Sequence, residues 1–463
     1  MTDELCFATV SELAKALRRK RVSAVELTRM FLARLERIGP KYNALAELTP
    51  DRALAQARRA DRLLKQGATK SPLVGMPYGA KDLLATKGIP TRWGAPPYRD
   101  QVLDYDATVI RRLDEAGAVL IGKLAMVELA GAGGYAYPSA SLHGPGLNPW
   151  NTDHWSGGSS SGSGSAVAAG LVPFALGSET WGSIMSPSSN CGISGLRPTR
   201  GRVSRYGAME LAWTMDKIGP MAHTAEDCGW VLEAIAGYDP HDPTTVERKF
   251  RMRLPPSQKA FDLGVLPADF SGEPEMEKAF EQALRVLRRV GMRVRQAKLP
   301  DYDYRQVANV ILDSEQAAAH RDLIKSEKLN ELVDTDQKEG LRKSLEIPAA
   351  DYVLAEQERR KLTRDVLALF SEYDALLSPT TVAEAVSIET NLKARPRKRG
   401  NYSFLGSLCG VPCLTVPMGF GRHGLPFGLA ITGNLLAENT ILQIGILYQR
   451  ETDWHMKHPA VAE

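Results

Sequence analysis

One lysine and two serines stand in segments of this chain whose composition suits hydroxyl chemistry. Ser159 and Ser183 each lie on a glycine-flexed backbone, and the residues between them predict a short helix followed by a strand. Lys81 lies upstream in the apolar, glycine-rich stretch GMPYGAKD, which favours a buried side chain. A serine hydroxyl becomes a nucleophile only when a base takes its proton, and a lysine held neutral by burial can be that base. An isolated lysine, however, is most often a solvated surface amine.

The turn that carries Ser183 offers donors for an oxyanion. Thr180, Trp181, Gly182 and Ser183 present successive backbone N–H groups without a proline. Acyl transfer needs such donors, aimed at the charge that develops on the carbonyl oxygen. By itself this segment fits an ordinary strand-to-helix turn equally well.

The Gly/Ser loop before the predicted short helix, residues 157–162 with the sequence GGSSSG, allows other interpretations. A flexible linker is disfavoured because packed small apolar residues follow directly. A phosphate-binding loop would need a Gly-Lys-Ser/Thr ending, which is absent. The G-x-S-x-G pattern would make Ser160 a nucleophile, but no strong strand precedes it. The stretch GAGGYA at 131–136 is a weak dinucleotide-loop pattern without a convincing acidic partner.

Composition excludes several classes of protein. Hydrophobic residues make up 43% of the chain and charged residues 24%, and the net charge of +4 gives no support for nucleic-acid binding. The basic runs at 18–21 and 393–399 are interpreted as solvated surface. Five cysteines without CxxC or Cys/His spacing predict neither disulfides nor a metal site. Without a signal peptide or a long apolar run, we expect a cytoplasmic protein that does not bind membranes.

The remaining pattern predicts an α/β fold. Residues 9–70 are predicted to be helical, with capping boxes at Thr9 and Ser23. A helix at 108–116 and a strand at 118–122 precede a long loop at 131–165, which suggests function. Further along, the predicted elements are strands at 261–266, 292–297, 375–379 and 414–417, a helix at 274–290, and a mostly helical stretch at 305–375.

Taken together, these segments resemble the amidase signature family over most of the chain. The motifs that carry the resemblance are long: GGSSSGSGSAVAAG, ALGSETWGSI, CGISGLRPTRGRVSRYG, GMPYGAKD, LLSPT, GVPCLTVPMGF and GLPFGLAITG. The resemblance implies a mixed central β-sheet covered by helices on both faces. We expect one catalytic domain, in which helical residues 1–70 pack on a core at 71–463 and residues 300–375 form a helical insertion.

The resemblance also implies roles for the residues above. Ser183 matches the nucleophile, Lys81 the ultimate base, and Ser159 the bridging serine, preceded by a cis Gly158–Ser159 peptide. The amides of Thr180, Trp181, Gly182 and Ser183 would form the oxyanion hole. The loop near Gly133 would line the substrate pocket, and no cofactor is implied.

This chain departs from the family pattern Asp-Thr-Gly-Gly-Ser-Ile-Arg at two informative positions. Trp181 keeps its N–H, and its indole is predicted either to shape a pocket for an apolar or aromatic substrate or simply to pack. Met185 stands where arginine is usual, which argues against a charged substrate there. It also argues against the glutamine-hydrolysing subunit of a transamidation complex.

The sequence therefore predicts a serine amidohydrolase that cleaves a linear C–N bond in a small-molecule amide. Aryl amides, carbamates and esters share the needed carbonyl chemistry and stay open as substrates. The alternative is the amidase subunit of a glutamine-dependent transamidation complex, which needs partner chains. A third hypothesis is a catalytically silent binding scaffold. The oligomeric state is undetermined, with a homodimer among the options.

Overall fold

The computed structural model describes residues 5–67, 71–256, 260–395 and 398–461. Its strands are β1 Leu45–Leu48, β2 Pro77–Lys81, β3 Val119–Leu124, β4 Leu147–Asn148, β5 Asn151–Trp155, β6 Phe174–Glu179, β7 Ser194–Arg197, β8 Lys217–Ala222, β9 Asp262–Val265, β10 Arg293–Gln296, β11 Ala375–Pro379, β12 Cys413–Phe420 and β13 Pro426–Gly433. All but β4 and β5, which form a separate hairpin, belong to one eleven-stranded sheet.

The large sheet is mixed. Its strand order is β1-β3-β2-β6-β8-β7-β12-β13-β11-β9-β10. Strand β2 runs parallel to β3 and to β6, and β9 runs parallel to β10 and β11, whereas the other neighbours are antiparallel. Because β2 and β6 are parallel, their carboxyl ends meet at the same edge of the sheet.

Helices cover the sheet. They are α1 Val10–Arg18, α2 Ala24–Ile38, α3 Pro50–Gln66, α4 Thr108–Glu115, α5 Ser161–Ala168, α6 Met185–Cys191, α7 Ala225–Ile235, α8 Pro274–Arg289, α9 Tyr304–Ala319, α10 Arg321–Ile324, α11 Thr335–Ser344, α12 Ala349–Ala368, α13 Phe404–Leu408 and α14 Glu438–Arg450. Every side chain of β3, β8 and β13 is buried. Since successive strand residues face opposite sides, both faces are covered, and the predicted fold is confirmed.

The N-terminal region differs from its prediction at one strand. Both predicted capping boxes form, at Thr9 before α1 and at Ser23 before α2. The expectation that 9–70 is entirely helical is wrong at β1, which pairs antiparallel with β3. This strand has four residues, all only partly buried, so no clear alternation marks it.

The segment at 131–165, predicted to be loop, contains regular structure. Strands β4 and β5 pair within it, and α5 begins at Ser161. This α5 is the short helix predicted between Ser159 and Ser183, and the strand predicted after it is β6. Only its start differs, because its first residues lie in the Gly/Ser stretch 157–162 that was treated as a loop, and glycine disfavours helices. At Gly162 the reason for glycine is close packing, since a Cβ there would lie 2.5 Å from the Ala44 carbonyl oxygen.

The other predicted elements are found with small shifts at their ends. Strand β9, helix α8 and strand β10 form the β-α-β unit expected at 261–297. Strand β11 spans the predicted residues, and β12 extends the prediction at 414–417. Helices α9 to α12 occupy the stretch predicted to be helical. In the described part of the chain, no helix combines the length and apolarity that crossing a membrane requires.

Candidate active site

Lys81 is the last residue of β2 and is completely buried. Its Nζ lies 2.7 Å from Ser159 Oγ and 3.0 Å from the hydroxyls of both Ser160 and Ser178. Asp82, the next residue, points the other way and pairs with Lys123 at 3.2 Å. Because the chain is extended here, the side chains of Lys81 and Asp82 point in opposite directions, and the carboxylate does not contact the lysine.

Burial sets the charge of the lysine. Desolvation lowers the pKa of Lys81 to about 7, while the more distant charges of Asp216 and Glu179 act in the opposite direction. Within the described residues, no carboxylate contacts Lys81 Nζ. A large fraction of the side chain is therefore neutral at neutral pH, which a general base requires.

Ser159 lies in a tightly packed loop. The Gly158–Ser159 peptide is cis, as the resemblance implied. The Ser159 carbonyl accepts a hydrogen bond of 3.1 Å from Val127 N, and its side chain is 1% exposed. A Cβ at Gly158 would lie within 3 Å of Trp155 and Val127. The hydroxyl of Ser159 is thus held against Lys81 by its surroundings.

Ser183 lies in the turn between β6 and α6 and is 8% exposed. The turn contacts the serine loop, because Ser160 N donates to the Ser183 carbonyl at 3.3 Å. Within the described residues, no hydrogen bond joins the hydroxyls of Ser159 and Ser183. The structure therefore brings the two predicted serines into neighbouring segments, and the proton transfer between them remains a prediction.

The backbone of the Ser183 turn has unused donors. Within the described ranges, the amides of Trp181, Gly182 and Ser183 donate no hydrogen bond. Gly182 has a φ of +83°, a conformation that side chains strongly disfavour. These unpaired amides are what an oxyanion hole requires.

Glu179, at the end of β6, fixes the far side of this turn. Its carboxylate accepts hydrogen bonds from Ile184 N at 2.9 Å and Met185 N at 3.0 Å, and pairs with Arg197 at 2.7 Å. Burial opposes its charged form, but Arg197 and Lys217 outweigh burial, so the pKa of Glu179 is lowered. A charged carboxylate therefore organises the turn from inside the protein.

Thr180 is held by groups outside the turn. Its hydroxyl donates to Asp216, and its carbonyl accepts from Ser407 Oγ at 2.8 Å and Lys217 Nζ at 3.3 Å. Asp216 also accepts from the amides of Leu211 and Ala212. The start of the turn is thus anchored to β8 and α13.

Trp181 and Gly133 both face the helices of the 305–375 stretch. The Arg305 guanidinium carbon lies 5.3 Å from the centre of the Trp181 ring, which is partly buried. Gly133 N donates to Gln316 Oε1 at 2.8 Å, and a Cβ at Gly133 would lie 2.2 Å from the Gln337 carbonyl oxygen. Gly133 is therefore packed against α11, and its predicted place in a substrate pocket stays a prediction.

Sequence reasoning missed Ser178 and treated Ser160 only as a rejected nucleophile. Both surround Lys81, and Ser160 Oγ also donates to the Ser178 carbonyl at 3.1 Å. A single serine in a strand is common, so no local pattern marks Ser178. The relevant signal is the pairing of β2 with β6, which only the fold supplies.

A cavity of about 200 Å³ adjoins these residues. Its lining includes Ser178 and Thr180, the residues on either side of Glu179. It also includes Ala130, three residues after Val127, whose N–H donates to the Ser159 carbonyl. The remainder of its lining is apolar, aromatic and charged: Leu83, Arg205, Tyr206, Ala208, Met209, Glu210, Leu211, Trp213, Asp216, Lys217, Ile218, His241 and Asp242. A small molecule there would lie beside the Lys81 and Ser183 segments.

Comparison with known proteins gives consistent family matches. A family model described as Amidase matches residues 26–442. The chain is 37% identical to a glutamyl-tRNA(Gln) amidotransferase subunit of Methylococcus capsulatus, over 98% of each chain.

Solved structures show the same similarity. The native peptide amidase of Stenotrophomonas maltophilia is 30% identical, with a TM-score of 0.87, over 98% of this chain and 99% of that one. A chain from an inhibitor-bound structure, described as a vestigial protein complex that reveals the origins of an s-triazine catabolic enzyme, is also 30% identical. Its TM-score is 0.85, and the match covers 96% of this chain and 98% of that one.

Proposed function

The chain belongs to the amidase signature family, and on that premise we propose that it hydrolyses the C–N bond of a carboxamide through an acyl-enzyme on Ser183. The observation that carries this proposal is the buried Lys81 amine, 2.7 Å from Ser159 Oγ and with a pKa lowered to about 7 by burial. A neutral amine at that position can receive a proton through Ser159.

In the first half of the proposed reaction, Ser183 Oγ attacks the amide carbon while its proton passes to Ser159 and the Ser159 proton passes to Lys81. The oxyanion that forms is stabilised by the turn amides, which include those of Trp181 and Gly182. Collapse of this intermediate breaks the C–N bond. The proton on Lys81 returns through Ser159 to the leaving nitrogen, so that a neutral amine or ammonia departs.

In the second half, water attacks the ester carbon of the acyl-enzyme. The water proton passes through Ser159 to Lys81, and the second oxyanion accepts hydrogen bonds from the same backbone amides. When the ester bond breaks, the proton returns to Ser183 Oγ and the carboxylic acid is released. Ser159 and Lys81 thus end each cycle in the protonation states in which they began, and the overall reaction consumes only the amide and one water molecule.

Two roles fit this chemistry. A free-standing amidase is the first, and a component that supplies ammonia within a transamidation complex is the second. The similarity to an amidotransferase subunit, 37% identity over nearly the whole of both chains, supports the second role better than the first. In that role the chain would have protein partners.

The departures at the nucleophile turn bear on the substrate. Trp181 brings an indole next to the unpaired amides, and Met185 places an uncharged side chain just after the turn. Both favour an acyl group other than that of free glutamine. Aryl amides, carbamates and esters therefore stay within the proposal for the free-standing enzyme.

The decisive test of the nucleophile uses Ser183→Ala. We expect the wild-type protein to be labelled by a fluorophosphonate probe and the variant to be neither labelled nor active on any amide. Ser160→Ala, which removes a hydroxyl next to Lys81 but not the nucleophile, should still be labelled. Full amidase activity in Ser183→Ala would end the proposal, and an unlabelled, inactive wild-type protein would support a silent scaffold instead.

A second experiment separates the two roles. The purified chain is incubated with glutamine and with a panel of anilides, carbamates and aliphatic amides, and ammonia or amine release is measured. Release from the panel without partners indicates a free-standing amidase. Release from glutamine only after reconstitution with co-purified partner chains indicates the transamidation component.

A further inference from the structure

The mouth of the cavity beside the catalytic segments is aromatic. Trp213 is 47% exposed and Tyr206 is 39% exposed, so both rings are accessible from solvent. The Tyr206 ring stacks on His241 with 4.6 Å between centroids. Exposed aromatic rings around a concave site are a common means of holding a flat or apolar group.

One carboxylate in this lining has no partner. Within the described residues, no hydrogen bond or ion pair reaches Glu210. Glu210 is an exposed residue of the lining. Partial desolvation and the nearby charge of Asp216 raise its pKa, whereas the charge of Arg205 acts in the opposite direction. A cation beside Glu210 would relieve both effects, because an opposite charge favours the ionised carboxylate.

The cations of the lining are already engaged. Arg205 lies 3.5 Å from Asp242 and stacks its guanidinium over Trp213, with 4.7 Å to the ring centre. Lys217 Nζ is directed at the carbonyl oxygens of Thr180, Met215 and Gly406. An anionic group entering the cavity would therefore meet no unpaired lysine or arginine among the described residues.

We propose that this cavity selects carboxamides whose apolar or aromatic body carries an ammonium group, with Glu210 as the residue that recognises the cation. The inference rests on the proposed function, since it assigns a substrate class to the same site. The apolar lining of Leu83, Met209 and Ile218 accommodates the body, and Glu210 accepts hydrogen bonds from the ammonium. Free glutamine carries an ammonium as well, but it fits this cavity less well because it lacks the apolar body and its carboxylate would have no counter-charge there.

The first test measures binding, so that it does not depend on turnover. Isothermal titration calorimetry compares 2-phenylethylammonium with 2-phenylethanol and 3-phenylpropanoate, which share the ring and differ in charge. We expect the cation to bind about fivefold more tightly than the alcohol, the range of a partly exposed ion pair, and the anion to bind least. In Glu210→Gln the affinity for the cation should fall to the affinity for the alcohol. Glu36 is an exposed glutamate outside the cavity, and Glu36→Gln should leave all three affinities unchanged.

The second test measures selectivity in catalysis. The values of kcat/KM for 5-aminopentanamide and hexanamide, which have nearly the same shape, should favour the cationic amide in the wild-type protein and become equal in Glu210→Gln. The inference is overturned by equal or unmeasurable binding of the three ligands, by a preference that survives Glu210→Gln, or by failure to cleave the cationic amide in an unlabelled sample of a preparation whose Ser183 reacts with the fluorophosphonate probe. If Ser183→Ala instead retains activity, the proposed function fails, while the calorimetry still reports on Glu210.

Discussion

At the scale of single residues, the charge of Lys81 is determined by its burial among hydroxyl groups, away from the carboxylate of Asp82. Its Nζ is surrounded by three serine hydroxyls, and Asp82 is turned towards Lys123. A contacting carboxylate would favour the ammonium form and remove the base. Burial without a counter-ion has the opposite effect and brings the pKa to about 7.

This pKa predicts a single ionisation in the activity profile. Because Lys81 accepts a proton only when neutral, kcat/KM should rise with pH through about 7 and level off above about 8. Below about pH 6 it should fall roughly tenfold per pH unit, since the ammonium form then dominates. The measurement is kcat/KM, or the rate of fluorophosphonate labelling, between pH 5 and 9.

A control is needed because burial also lowers the pKa of Lys217 to about 7. Lys217→Gln should reduce activity by disturbing the Thr180 carbonyl but keep the midpoint of the profile. If the midpoint near pH 7 disappears from the activity profile of Lys217→Gln, the ionisation belongs to Lys217 and not to Lys81. Lys81→Met should abolish labelling at every pH.

Residue types and spacing made Lys81, Ser159 and Ser183 candidates, and the long motifs that carry the resemblance implied their roles. They did not predict Ser178 beside Lys81 or Glu210 in the adjoining cavity. Ser178 reaches the lysine because β6 lies beside β2, and Glu210 lies near the site through a loop more than 100 residues after β2. Such contacts depend on tertiary placement, which local patterns do not encode.

At the scale of elements, the turn between β6 and α6 is held by a buried ion pair. Glu179 binds the amides of Ile184 and Met185 with one oxygen and Arg197 with the other. Both side chains are at most 1% exposed. The same carboxylate thus balances a buried cation and directs the backbone that follows Ser183.

Glu179→Gln should therefore damage both stability and activity. Removing one partner of a buried pair costs about 3–5 kcal/mol of unfolding free energy, because Arg197 keeps its charge. We expect labelling of Ser183 to slow at least about a hundredfold, because the donors of an oxyanion hole are each worth about that much. Chemical denaturation and labelling rates measure the two effects, with Glu115→Gln in the exposed pair with Arg111 as the control.

A double variant separates the two functions of Glu179. Glu179→Leu with Arg197→Met replaces the pair by apolar side chains, which is often neutral for stability. Stability should largely return, but activity should not, because the amides of Ile184 and Met185 still lack an acceptor. Recovery of both would show that the turn does not need the carboxylate.

Long periodic elements were predictable at this scale, and short ones were not. The α8 helix and β11 were found within a residue or two, because their apolar pattern is strong. The β1 strand and the β4–β5 hairpin have few buried positions and were missed. Their places are set by partners distant in sequence: β3 for the first, and residues 386–388 for the second, where Trp155 N donates to the Val386 carbonyl and Ile388 N donates to the Asp153 carbonyl.

At the scale of the whole molecule, the N-terminal region supports the catalytic loop directly. The Ala44 carbonyl accepts from Ala125 N, and the Ala125 carbonyl accepts from Gly162 N, both at 2.9 Å. On the other side, Arg34 donates to the carbonyls of Gly170 and Ala169 at the end of α5. Both ends of the helix that follows Ser159 are thus tied to residues 34–44, and we propose that residues 1–70 and 71–463 form one catalytic unit.

If the two regions are one unit, a cavity in the first should weaken the second. Phe31 is fully buried within α2, in the same apolar cluster as Val167 of α5. Phe31→Ala should lower the free energy of unfolding by about 3–5 kcal/mol, whereas Leu354→Ala, at a 60% exposed site, should change it by less than about 0.5 kcal/mol. In the Phe31 variant, circular dichroism and Ser183 labelling should be lost at the same, lower denaturant concentration. Labelling that outlasts the loss of N-terminal structure would mean that residues 71–463 fold and act without it.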